Sequence, residues 1–377
     1  MKLIVIVIFA ILIGTSQARA FPETARIGYQ NCISCHISPS GGGVLTPYGR
    51  GMASDILSTW SYSGEETIGH GLFKDKEGKA FETPEWLQIG GESRWIQTYV
   101  NNLQATQTQW FPMQNEIETA VGFLKGWIVG NLDFLGGPPG TPNYGNLISD
   151  RLYGMYNLTD EFYVRAGKYM LPFGINQPNH TAVMAKGLGW DEGMESDNIE
   201  AGYIGEKYNL IVTGDLGRPD NTTLVTEEGV SVNLAYNLLT THKIGWSAFS
   251  GSANDSTRFV TGPYGILSFF RKLVFLTQAD LQWKNFKDPT AGPEQQGFVT
   301  FNRVQYEVVK GIHPYVIHQI NYLNNSVVAS RYDSYGGGIM WYPRPHFEFW
   351  AEWDKERNMA VAPNYTDSAW LVLHYYL

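Results

Sequence analysis

The chain has 377 residues, a formal charge of -9, 43% hydrophobic residues, 17% charged residues and 14% aromatics. The acidic balance excludes nucleic acid as a partner, and the absence of any run of eighteen apolar residues beyond the N-terminus excludes helical membrane spans. Both of its 2 cysteines fall in one cluster, which excludes a disulfide-stapled secreted fold.

In chain order, residues 1–20 read as a secretory signal peptide. Lys2 supplies the positive start, Leu3 to Ile13 the apolar core, and Ala18-Arg19-Ala20 a small-x-small cleavage site before Phe21. Its removal takes Lys2 and Arg19 away and moves the charge from -9 to -11.

Residues 21–85 form the next unit, which reads YQNCISCHISPSGGGVLTPYGRGM from Tyr29. Cys32 and Cys35 share one short turn with His36 directly after them. This is the spacing for covalent attachment of one haem c, two thiols adding to the vinyl groups and the imidazole reaching the iron. A thioredoxin-like pair needs a βαβ context and a structural zinc needs four ligands. Here Pro39 and Gly41 to Gly43 follow almost at once, and there is no third cysteine. Arg26 and Arg50 flank the motif as candidate partners of the haem propionates. On the distal side the candidates are His70, Met52 and His180, with His70 favoured because the chain from 37 to 70 is long enough to return to the opposite face; a five-coordinate iron stays open. So few residues, so rich in Gly and Ser, bury little core alone, which favours a plug or cap held by the C-terminal remainder of the chain.

From Trp86 the apolar period becomes two. Phe347, Phe349, Ala351 and Trp353 oppose Glu348, Glu352 and Asp354, as in a wall with an apolar outside and a polar lumen. Strands are expected at 86–100, 111–122, 125–135, 148–158, 161–171, 196–205, 208–217, 227–238, 242–252, 260–270, 272–284, 297–309, 312–323, 328–342, 346–355 and 366–377. The series is even in number, with tight and long connections alternating throughout. Residues 86–377 therefore read as an all-β, transmembrane, antiparallel barrel of sixteen strands in the outer membrane. Both barrel ends, and the N-terminal unit, fall on the periplasmic side. The longest connection, 172–195, is the candidate for an inward-folded constriction.

Through Cys32 to His36 and the barrel behind them, the sequence resembles the fused outer-membrane cytochrome-porins, which include the iron-oxidising outer-membrane c-type cytochromes. The resemblance is specific in the attachment motif and architectural over most of the remaining chain. It implies a single-haem segment in a sixteen-strand porin that passes electrons across the outer membrane. Lys168-Tyr169-Met170-Leu171-Pro172-Phe173-Gly174 is also similar to a strand-to-loop phrase of phosphate-selective porins. The partners expected are outer-membrane lipid, a periplasmic c-type cytochrome or other soluble carrier, and an extracellular redox donor or acceptor such as ferrous iron. The alternative is a diffusion porin whose haem segment is a structural or redox-sensitive plug. A third reading, a small-molecule reductase or peroxidase, needs a vacant distal site with an acid-base residue.

Overall fold

A computed structural model describes residues 21–61, 76–77, 84–101, 105–134, 136–137, 140, 144–179, 182–191, 193–218 and 227–377. The signal peptide, His70 and His180 lie outside the described residues.

Sixteen strands close one antiparallel barrel among the described residues. They are β1 (Leu87–Asn101), β2 (Thr106–Phe123), β3 (Gly126–Phe134), β4 in two pieces (Leu147–Ile148 and Leu152–Asn157), β5 (Phe162–Tyr169), β6 (Ser196–Ile204), β7 (Tyr208–Asp215) and β8 (Glu228–Leu238). The second half comprises β9 (His242–Ser252), β10 (Ser256–Phe269), β11 (Leu273–Phe286), β12 (Gln295–Tyr306), β13 (Ile312–Tyr322), β14 (Arg331–Trp341), β15 (Phe347–Asn358) and β16 (Thr366–Tyr376). Each strand pairs with its neighbour in sequence, and β16 closes on β1 from Glu92↔Tyr376 to Asn101↔Asp367. Both pieces of β4 pair with β3. At the break, the Asn131 side-chain oxygen accepts from the backbone N–H groups of Asp150 and Arg151, at 3.0 and 2.7 Å.

The closed sheet explains the period-two pattern, because alternate residues point into the lumen and out of the wall. The outward set is apolar and exposed: Ile128, Leu132, Ile199, Leu210, Val212, Leu234 and Val316. The inward set is polar and buried: Glu92, Arg94, Glu116, Glu118, Arg165, Glu200, Arg303, Glu352 and His374. Phe123, Phe162, Tyr208, Phe269, Tyr306 and Phe347, each a terminal strand residue at a tight turn, are exposed and form an aromatic girdle at that end. The tight turns need left-handed backbone, seen at Leu124, Leu239, Phe270, Arg271 and His346, as two-residue hairpins demand.

All sixteen expected strands are present, several of them extended at the long-loop end, β2 and β10 the most. β2 starts at Thr106 and β10 at Ser256. The ladder continues there past the apolar band, so Asn101 still pairs with Thr106 where hydropathy no longer alternates.

The N-terminal segment, residues 21–61, lies against lumen-facing side chains at the tight-turn end. Arg26 donates to the Arg271 carbonyl, Asn31 to that of Gly205 and Thr59 to that of Lys310, all in tight turns. Glu23 pairs with Arg303 at 3.1 Å and Arg26 with Glu307 at 2.6 Å, a reciprocal exchange of charge between segment and wall. From the other end, the connection after β5 folds inward. The Gly174 N–H donates to Ser247, Ile175 N–H to Gln278 and Val183 N–H to Gln319, and α1 (Val183–Lys186) is buried at Val183 and Met184. The two inserts meet where Asn176 donates to the Ser40 carbonyl at 2.7 Å.

Candidate ligand site in the barrel lumen

A 3₁₀ turn, Cys32–Ser34, carries the motif and places His36 directly beyond it, where His36 bridges to Leu45. Ile37 N–H donates to the Val44 carbonyl and Thr46 N–H to that of Cys35, making a small hairpin whose tip is Gly41 to Gly43. All three tip glycines have positive φ, at 82°, 75° and 70°. A Cβ on Gly43 would stand 2.8 Å from a Glu118 carboxylate oxygen, so only glycine brings this tip so near the wall. Pro47–Met52 then forms a short helix capped by Thr46, whose hydroxyl accepts from the Gly49 N–H at 3.1 Å. It rests on the motif: a Cβ on Gly49 would fall 2.3 Å from the Cys35 carbonyl oxygen.

Between the segment and the inward connection lies a cavity with about 1820 Å³ of empty space, continuous with solvent. Cys32, Cys35, His36 and Met52 line it, facing apolar wall from Ile211, Ala235 and Ile266 and the rings of Phe173 and Trp190. The imidazole of His36 is 5% exposed, and its Nδ1 has no hydrogen-bond partner. Burial pushes His36 down to about 4, against the Gly43 and Gly42 backbone, so the ring is neutral at pH 7, the form that ligates a metal. Burial raises both thiols, Cys35 to about 11, while Lys243 opposes the rise at Cys32. These thiols stand free, half-buried beside one another.

The structure thus brings Cys32, Cys35, His36 and Met52 to one cavity and places the flanking arginines elsewhere. Arg26 grips Glu307 with two bonds, at 2.6 and 2.9 Å, and Arg50 donates to the Gln88 side chain at 2.8 Å and to the Leu45 carbonyl at 3.1 Å. Neither lines the cavity. The cations that do are Arg151, Arg165 and Lys243, which sequence reading did not single out. Arg165 bonds Glu200, reaches Ser38 and Ser40, and stacks 3.7 Å above the centre of the Tyr169 ring.

No known family profile matches the sequence, and no curated protein matches it. Among solved structures, the chain is similar to a loop-deletion form of the outer-membrane protein OmpT of Vibrio cholerae, with 8% identity, a TM-score of 0.61, and 77% of this chain and 99% of that one covered. The outer-membrane channel DcaP of Acinetobacter baumannii gives 12% identity and a TM-score of 0.58 over 81% of this chain and 99% of the other. An anion-selective porin from Comamonas acidovorans gives 8% and 0.55 over 77% and 99%. The fold is a porin fold. At these identities the likeness carries the architecture, and what the lumen holds must be argued from this chain's own residues.

Proposed function

We propose that this barrel sits in the outer membrane with its N-terminus on the periplasmic side, carries one covalently attached haem c on a plug formed by residues 21–61, and exchanges single electrons through it. The observation that carries the reading is Cys32, Cys35 and a buried His36 opening together onto one largely apolar lumen cavity. The residues fit the group: two free thiols for the tethers, an imidazole for the iron, and apolar side chains against a flat macrocycle. Met52 and the undescribed His70 and His180 are the candidates for the second axial position.

Bound there, haem would supply a one-electron centre whose potential the protein sets. The chain's residues do the placing. The Glu23–Arg303 and Arg26–Glu307 pairs fix the plug to the wall, and the Gly49 contact holds the helix against the Cys35 backbone. Because the cavity also touches Gly174, Trp190 and Asp191 of the inward connection, a group tethered at Cys32 and Cys35 would lie between the segment and that connection. This would shorten the distance to a donor that enters from the long-loop side. The natural exchange partners are a periplasmic c-type cytochrome and an extracellular donor or acceptor, ferrous iron among them.

The porin fold of the structural neighbours favours a second reading, a diffusion channel whose haem plug moves aside. One experiment separates the two. Oriented liposomes carrying the purified holoprotein enclose a soluble cytochrome, and chelated ferrous iron is added on the long-loop side. Reduction of the enclosed cytochrome without solute leakage supports electron exchange; leakage without reduction supports the channel. Purified protein with no haem band after denaturation would sink both.

A further inference from the structure

Several polar side chains that line the cavity are satisfied within the protein. Asn176 donates to the Ser40 carbonyl at 2.7 Å, Lys243 to that of Gln30 at 2.9 Å, and Asn233 accepts from the Tyr264 hydroxyl at 2.6 Å. Gln177 departs from them. It lines the cavity and is 5% exposed, yet among the described residues neither its Oε1 nor its Nε2 has a hydrogen-bond partner. A buried carboxamide held this way bears its full desolvation cost, so its place in the lining calls for a binding role. The backbone around it is fixed: Gly174 N–H is tied to Ser247 at 2.9 Å, Ile175 N–H to Gln278 at 2.8 Å, and the Pro178 carbonyl accepts from Arg94. Its side of the cavity is equally specific. The attachment turn enters from the tight-turn end, where Asn31 donates to the Gly205 carbonyl, whereas Gln177 belongs to the connection that folds in from the long-loop end. The cavity thus has two thiols on one side, an unpartnered amide on the other, and apolar wall from Ile211, Ala235 and Ile266 beside them.

We propose that Gln177 binds the acid edge of the group tethered at Cys32 and Cys35, its amide N–H donating to a haem propionate. This rests on the haem reading above and adds a residue to it. A haem joined through its vinyl positions carries both propionates on the opposite edge, and these are its only peripheral groups that accept strong hydrogen bonds. With the vinyl edge held by the plug, the acid edge turns toward the inward connection. An amide donor to a carboxylate makes a charge-assisted bond, strengthened in a partly desolvated site. Gln177 is a positioning residue: it ties the ligand to the connection, and by offsetting part of the propionate's charge it favours reduced over oxidised iron.

The test uses the full-length holoprotein with Gln177→Leu, which removes the donor at similar size, Gln177→Lys, which strengthens it, and Gln305→Leu as the control. Gln305 is a second lumen amide with neither atom partnered among the described residues, 1% exposed, but it does not line the cavity. Haem content is read first, from the alkaline pyridine spectrum and the haem band on a denaturing gel. A wild-type protein without covalent haem defeats the underlying reading, separately from the proposal. With haem present, spectroelectrochemical titration should show the reduced-to-oxidised ratio at fixed potential falling about threefold in Gln177→Leu and rising about tenfold in Gln177→Lys, the latter an upward shift of about 59 mV for one electron. Gln305→Leu should keep the wild-type midpoint. In the reduced-minus-oxidised infrared spectrum of protein carrying isotope-labelled propionates, the carboxylate band should move in Gln177→Leu and stay in place in Gln305→Leu. Full haem content with an unmoved carboxylate band in Gln177→Leu overturns the proposal, as does a midpoint that the two leucine variants shift alike. Should Gln177→Leu yield no folded barrel, an unchanged midpoint in Gln177→Lys overturns it instead. An amide answered by solvent alone predicts each of those results.

Discussion

Replacing Arg26 by alanine should unseat the plug. Its guanidinium makes two bonds to Glu307, at 2.6 and 2.9 Å, and a third to the Arg271 carbonyl at 3.0 Å, with side-chain exposures of 5% and 10% for the pair. Removing one member of a buried pair strands the other charge and costs about 3–5 kcal/mol. At about 1.4 kcal/mol per tenfold, the ratio of displaced to seated plug rises by roughly two to three and a half orders of magnitude. Single-channel recording in planar bilayers reads this directly: wild type should stay closed for long periods and Arg26→Ala should open often. Glu23→Ala should behave alike through Arg303, and exchanging the charges, Arg26→Glu with Glu307→Arg, should restore closure. If Arg26→Ala records like wild type while its barrel remains folded, the ion pair does not hold the plug.

Cys32→Ala with Cys35→Ala should abolish the haem band on a denaturing gel yet leave a heat-modifiable barrel, since neither cysteine belongs to a barrel strand. Gly49→Val places carbon within 2.3 Å of the Cys35 carbonyl oxygen, so the helix must shift, at a cost of about 1–3 kcal/mol; haem yield per barrel should fall without loss of barrel. Glu195, just before β6, is raised by burial, and by the nearby Asp150, to about 7. A carboxyl raised in the folded state contributes its full stability below its unfolded value of 4.5 and loses it as pH rises through about 7. Limited proteolysis of the inward connection should therefore quicken between pH 5 and 8, and Glu195→Gln should flatten that profile; an unchanged slope in the variant would assign the effect to another group.

The wall was legible because the barrel inverts the usual order of inside and outside. Phe347, Phe349 and Trp353 are exposed to the apolar surround while Glu348, Glu352 and Asp354 are buried, so alternation survives in the sequence as a clean signal. It fails where both faces meet water, as over Thr106 to Gln109, which are all exposed yet belong to β2. It also fails at Ser149 to Arg151, where the Asn131 side chain takes over two backbone N–H groups beside the one remaining ladder bond from Asn131 N–H to the Arg151 carbonyl. In the candidate site, Cys32, Cys35 and His36 could be read together because they are adjacent in sequence and share one turn. Arg165, Lys243 and Trp190 could not, because register and an inward fold bring them together across many residues. The flanking arginines illustrate the converse: Arg26 is near the motif in sequence, but its nearest carboxylate partner is 281 residues away.

The first described residue and the last strand touch. The Phe21 ring stands 6.0 Å from that of Tyr376 and 5.4 Å from that of Tyr342, and Leu377 N–H donates to the Gly91 carbonyl beside the closing seam. A chain emerging N-terminus first would make its opening residues wait for its final ones, through contacts of the longest sequence separation it can form. Biogenesis would then acquire an order: if the thiols carry the proposed group, they are loaded while the sheet is still open, and the seam then shuts over a finished interior. On the haem reading proposed above, loading would become an early checkpoint for this barrel, decided before the membrane ever receives it.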